Sequence, residues 1–392
     1  MLAVRTLLLP LAALSLTASP LAAQTASAEA PTSAAVTSGE FARFIPREDN
    51  RKRLDWQLWT DALQYMVLNM GQSLREAEGK PLAQTGTRQV YGHDSRIRLE
   101  GNRVMFSLMA DEAIEPIAEY RRDLERIGGE IDIATLPRKE QLAYWMNLHN
   151  VATIEMIAAN YPAKSPSRIK IGDDKVPMDR AKFITVGGVA MSPHDIRTRI
   201  VFPNWSDPKV IYGFFRGELG GPSIRKEAFT ADTVDMLLID AAGEFVNSLR
   251  GVEKYGKNLL VSKIYEEAAP FFFTDFEADL RAHLRTHAQE EVAGLIDRAE
   301  GVKYNAYVDT TADLAGGERQ PIYYGSTTLS SADSLRVPPS VARLLGERYE
   351  KYEKLRREGL LRGRVIVLPP TTSERAQELE DAAEPETEPQ GI

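Results

Sequence analysis

Apolar side chains recur at helical spacing in several stretches of this chain. From Asn50 onward, Leu54, Leu58, Leu63, Met66 and Val67 fall close to the 3.6-residue period, with Trp56, Trp59 and Tyr65 adding bulk, and predict a first helix. Residues 111 to 127 predict a second, ended by Gly128-Gly129. Residues 137 to 160 carry the strongest helical pattern. Residues 231 to 250 follow a Thr230 cap, residues 275 to 299 form a long polar helix, and residues 340 to 358 a charged amphipathic one.

Between these the pattern turns to strands. Ile97-Arg98-Leu99 and Val104-Met105-Phe106, separated by Glu100-Gly101-Asn102-Arg103, suggest a hairpin. Phe183 to Val186 and Val189 to Met191 flank Gly187-Gly188, a two-residue hairpin turn. The continuous apolar run Val210 to Phe215 reads as a buried strand. Leu259 to Val261 and Val302 to Val308 are further strands, and Arg364 to Leu368 is a strand-like run stopped by Pro369-Pro370. The expected class is α+β, a mostly antiparallel sheet packed by several helices, with a helical N-terminal part.

The two ends depart from this pattern. Arg5, the Leu/Ala-rich stretch Leu7 to Leu16 and the small residues around Ala22 and Ala23 form a signal-peptide pattern over residues 1–23. That apolar stretch is short for a membrane span. Residues 24–49 read as a flexible leader, residues 50–310 as the core domain, and residues 311–370 as an extension with one helix and one strand. Residues 371–392 carry seven acids against Arg375 and read as a disordered acidic tail. An exported protein, periplasmic or secreted, is expected, with no transmembrane segment once the signal is cleaved.

Composition then removes several chemistries. Of 392 residues 43% are hydrophobic, enough for a sizeable core, and none is cysteine. A disulfide, a thiol nucleophile, a thiolate metal site and an iron–sulfur cluster are therefore excluded. The net charge is −8 and the tail carries most of it, so the body is near neutral. With no strong basic run, nucleic acid is not an expected partner.

Five constellations remain as candidate chemistry. Glu140, Tyr144, Asn147 and Asn150 lie on one stripe of the strongest helix. Amides set among apolar residues must be bonded, either to a neighbouring backbone segment or to a ligand. Ser192-Pro193-His194-Asp195 resembles part of a nucleophilic set, but its spacing is that of a capped helix start, with His194 in the first turn. Arg216 opens a glycine-rich loop with Gly220 and Gly221, whose N–H groups could hold an anion or simply form a turn. Lys263 follows a short strand as a candidate site cation. His283, His287 and Glu290 have a metal-like spacing on a polar helix, but no third ligand is evident, and no metal or other cofactor is expected.

The order of these motifs resembles the domain-of-unknown-function family numbered 547. Glu140 to Asn150 is similar to that family's E-x-x-A-[FY]-W-x-N-x-[YH]-N helix. Gly187-Gly188 with Ser192 and Asp195-Ile196 is similar to its glycine turn, and Ser262-Lys263-Ile264-Tyr265 to its L-S-K-I segment. Residues 304–309 resemble its tyrosine-rich end, so the likeness spans about residues 115–310. Relatives often carry a histidine and cysteines where this chain has Ile211, Arg216 and Gly221, which makes it a cysteine-less variant. The resemblance carries over Glu140, Asn147, Asn150, His194, Asp195 and Lys263 but not His149, and it implies no settled activity.

Two readings stay open. One is a domain that binds an unknown small molecule or protein partner through Tyr144, Asn147, Asn150, Arg216, Gly220, Gly221 and Lys263, without thiol chemistry. The other is a hydrolase or transferase in which Glu140 or His194, with Asp195, supplies the base and the glycine loop an oxyanion site. The residues alone leave open whether the protein is an enzyme.

Overall fold

The central helix, Arg138–Ala159, organises the molecule, and it is buried on nearly every side rather than along one stripe. It starts after Pro137, whose carbonyl accepts from the Glu140 and Gln141 N–H groups. The Gln141 amide satisfies the Ala134 and Leu136 carbonyls of the preceding turn. It ends at Asn160, where the Tyr161-Pro162 bond removes the donor needed to continue. The computed structural model describes residues 39–82, 90–319, 327–328 and 336–360.

Helices Gln57–Met66, Ile114–Glu130 and Val234–Val246 surround this axis, and aromatic pairs such as Tyr144–Trp145 and Phe44–Trp145 fill the gaps between them. The strands form small sheets. Ile184–Val186 and Val189–Met191 pair antiparallel across Gly187-Gly188. Both glycines have positive φ, 54° and 83°, as a two-residue hairpin turn with the right twist requires. Val252–Tyr255 pairs antiparallel with Asn258–Val261, which pairs parallel with Gly301–Tyr304. The class is α+β, with small and mostly antiparallel sheets.

Three local expectations are corrected. Val210 to Phe215 is not a strand; Pro208–Gly213 is a 3₁₀ helix whose Lys209 N–H is capped by Asp207. The run is apolar throughout because it is buried throughout, and Pro208 favours a helical start. Ile97–Leu99 does not pair with Val104–Phe106; Arg103–Val104 pairs instead with Val67–Leu68. The intervening turn is fixed by the Arg103 guanidinium, which donates to the Arg98 and Gly101 carbonyls. The long polar helix is two helices, Phe276–His287 and Glu290–Arg298. Asn247 separates them, donating to the His287 carbonyl and accepting from the Gln289 N–H.

The C-terminal helix, Pro339–Arg357, packs on the body. Val341 and Leu344 join Met70, Leu99 and Leu314 in a second buried cluster. Arg98 pairs with Glu347, and Lys351 donates to the Leu99 carbonyl. Phe41 and Phe44, inside the stretch read as leader, sit in the core. The signal-like segment, the Arg364–Leu368 run and the acidic tail lie outside the described residues. Among the described residues no helix is long and apolar enough to cross a membrane.

Candidate functional site

The polar stripe of the central helix is spent on the protein's own chain. The Glu140 carboxylate accepts from Trp56 Nε1 at 3.0 Å and from the Leu54 N–H at 3.3 Å. The Tyr144 hydroxyl donates to the Leu124 carbonyl at 2.8 Å. Asn147 closes a two-bond ring with the Phe229 backbone, donating at 2.7 Å and accepting at 3.1 Å. Asn150 donates to the Gly213 carbonyl and accepts from the Phe215 N–H, standing where a neighbouring strand would otherwise stand. Each buried amide has backbone partners, which is what burial demands.

Asp195 is likewise committed. Its backbone N–H donates to Ser192 Oγ, and its carboxylate accepts from the Ser192 N–H and hydroxyl, a capping box at the helical turn Pro193–Asp195. A π-helical segment, Ile196–Val201, follows at once. Such a wide turn often marks a functional region, and here it carries Arg197 inward.

Arg197 is fully buried and uses all five of its N–H hydrogens. Two go to Asp179 at 2.8 and 2.9 Å, two to Glu267 at 2.8 and 3.0 Å, and one to His149 Nε2 at 2.8 Å. Because Nε2 accepts, the His149 proton sits on Nδ1, 3.1 Å from Asn150 Oδ1. Burial, then the Arg197 charge, pull His149 down to about 3, so the ring is neutral. Burial pushes the Asp179 carboxyl up, but Arg197 and Arg216 outweigh it and hold it at about 2. The same two arginines, with His194, keep Glu267 well below the usual carboxylate range despite its burial.

Glu267 passes this order outward. It accepts from Arg216 Nη2 at 2.7 Å, and His194 Nδ1 lies 3.3 Å away. These two residues line an open cleft of about 580 Å³ together with Arg180, Lys263, Glu218 and Tyr307, backed by the apolar Ile264, Pro270 and Phe271. A smaller opening of about 300 Å³ adjoins it and shares Arg180, Arg216 and Glu218. Arg216 Nε is buried without a hydrogen-bond partner. Tyr307 donates to Glu218 Oε2 at 2.7 Å. Burial pushes the Glu218 carboxyl up to about 7, against the pull of Tyr307 and Arg216 and with the push of Asp179 and Asp309.

Of the candidates read from sequence, the cleft gathers His194, Arg216 and Lys263. Glu140, Tyr144, Asn147, Asn150 and Asp195 hold structure elsewhere. The Gly220 and Gly221 N–H groups are already bonded, to the Val308 and Glu218 carbonyls, which leaves no oxyanion cradle there. Sequence reasoning missed Asp179, Arg197, Glu218, Glu267 and Tyr307. Glu218 had a local signal, since it stands in the glycine loop itself, and Tyr307 lies in the tyrosine-rich stretch 304–309; the others come from separate segments.

Asp179, His194 and Glu267 place one ligand atom each within 4.8 Å of one another, a spacing that could hold a metal ion. The Arg197 guanidinium already lies on both carboxylates. A divalent ion would have to compete with it for the same oxygens. Neither His283 nor His287 joins this group; Tyr212 is hydrogen-bonded to His283 Nε2 at 2.8 Å.

No curated protein and no solved structure matches the chain. Residues 133–246 match a family model, and that stretch holds the central helix, the glycine hairpin, the His194 turn and the Arg216 loop, while Lys263 and residues 304–309 fall beyond it. The family resembled over that stretch is the one described as "Protein of unknown function, DUF547", and the chain has no cysteine.

Proposed function

We propose that this is an exported binding protein whose Arg216 cleft holds a small anionic ligand without thiol chemistry. The observation that carries the reading is the gathering of Arg180, Arg216 and Lys263 around one opening. Arg216 is held by Glu267 through Nη2, and its Nε is a buried donor still without a partner. Guanidinium groups match the planar oxygens of carboxylates and phosphates. The apolar wall of Ile264, Pro270 and Phe271 suits the rest of such a molecule.

A hydrolase or transferase is the second reading, and the His194–Glu267 contact favours it. With Nδ1 turned to the carboxylate, Nε2 is the ring atom left for a proton. It ranks second because Glu140 and the glycine-loop N–H groups, the other parts it needs, are occupied elsewhere.

The test is a thermal-shift titration of the whole chain with sulfate, phosphate and citrate, beside Arg180→Ala, whose side chain is exposed. Any general salting effect is common to both proteins. A saturable rise that needs about tenfold more anion in the variant supports the reading. No saturable rise with any of the three, or the same curve in Arg180→Ala, sinks it.

A further inference from the structure

We propose that Glu218 serves the cleft as a hydrogen-bond donor, so that an oxyanion is taken up together with one proton. The inference rests on the anion-binding reading and narrows its ligand to one with acceptor oxygens.

The backbone delivers Glu218 to this place by necessity. Gly217 has φ +78°, and a Cβ there would stand 2.1 Å from Ile157 Cδ1, so only glycine allows the turn. The turn sets Arg216 and Glu218 on the same opening. Glu218 is then fixed by a bridge to Thr311 and by the Leu219 N–H donating to the Thr310 carbonyl.

The side chain has one oxygen engaged and one left over. Tyr307 donates to Oε2 at 2.7 Å, and burial keeps that phenol protonated. Oε1 has no partner among the described residues. Glu218 borders both the larger and the smaller opening, as do Arg180 and Arg216, whose charges would draw an anion to the same place. An ionised carboxylate in that position would repel the ligand. A carboxylic acid would give it a hydrogen bond.

The surroundings favour the acid. Besides burial, Asp179 and Asp309 add negative charge, against the Tyr307 bond and the Arg216 charge. The same cleft is lined by His194, Lys263, Glu266 and Glu267. Glu267 is already held by Arg197 and Arg216, and Lys263 lies 3.9 Å from Glu266. His194 also lines the cleft, and the test must separate it from Glu218.

Sulfate is the suitable probe, because it does not itself titrate near neutrality. Calorimetric titrations at pH 6 and pH 8, in two buffers of different ionisation heat, read both affinity and proton uptake. With Glu218 at about 7, affinity falls about tenfold between these pH values, and close to one proton is taken up at pH 8. Glu218→Gln keeps a donor that cannot ionise. It should bind at pH 8 as the native protein binds at pH 6, with no proton uptake. Binding that is flat with pH in the native protein overturns the inference and leaves the anion site standing. A pH dependence that survives in Glu218→Gln assigns the proton elsewhere, His194 first, and overturns it as well. No sulfate binding at either pH removes both the anion site and the proton.

Discussion

Replacing Arg197 by methionine tests the centre of the charge network. The variant keeps most of the buried volume and removes five hydrogen bonds at once. Glu267 and the His149 ring nitrogen are then left without their main partner in a poorly solvated place, and the more exposed Asp179 loses its two bonds. Breaking a buried ion cluster from one side costs about 3–5 kcal/mol, a large part of the roughly 5–15 kcal/mol that holds a typical domain together. Urea unfolding at pH 7 should show the midpoint falling by about 1–2 M, taking a slope of about 2–3 kcal/mol per molar. The pH dependence gives a second reading. Asp179 and Glu267 are depressed in the folded protein, so their stabilisation is present above their unfolded values, near pH 4, and is lost as pH falls toward 2. The gap between native protein and variant should therefore be widest above about pH 5 and narrow between pH 5 and pH 3. A variant within about 1 kcal/mol of native at pH 7, or a gap that does not narrow, would refute the reasoning.

Two further substitutions probe the parts that frame the cleft. Asn150→Leu should lose about 2–3 kcal/mol by urea unfolding, because the Gly213 carbonyl and Phe215 N–H would both be left buried and unpaired; a neutral effect would mean the loop finds other partners. Leu344→Ala should lose about 2–4 kcal/mol in the same unfolding transition, since the side chain is 1% exposed between Val341 and the Met70 cluster; a separate early transition would instead show that the last helix melts alone.

The helices were legible because burial and period mark them together. The Gly187-Gly188 hairpin was legible because two adjacent positive-φ residues leave few alternatives to glycine. The Val210–Phe215 run misled because an unbroken apolar stretch reports burial and not backbone shape; the proline and aspartate before it held the missing signal. The Glu140 stripe was seen as one face, and the amides were expected to need partners, but the sequence could not say that those partners would be backbone groups of residues 213, 215 and 229. Of the cleft, His194, Arg216 and Lys263 stood out locally. Nothing local marks Arg197, which stands between Ile196 and Thr198. Its role depends on Asp179 and Glu267, which are 18 and 70 residues away and meet it only after folding.

The seating of the final helix has a consequence for how the chain is made. Arg98 finds Glu347, and Leu99 finds Lys351, across about 250 residues of intervening polypeptide. The early segment carrying Met70 and Leu99 therefore leaves the ribosome long before the surface that covers it exists. Until residue 357 has emerged, that segment presents bare apolar side chains and a guanidinium without its Glu347 partner to its surroundings. A chain truncated before the last helix should be a client for holdase chaperones, and availability of that helix, rather than closure of the central one, marks the point at which the native state becomes reachable.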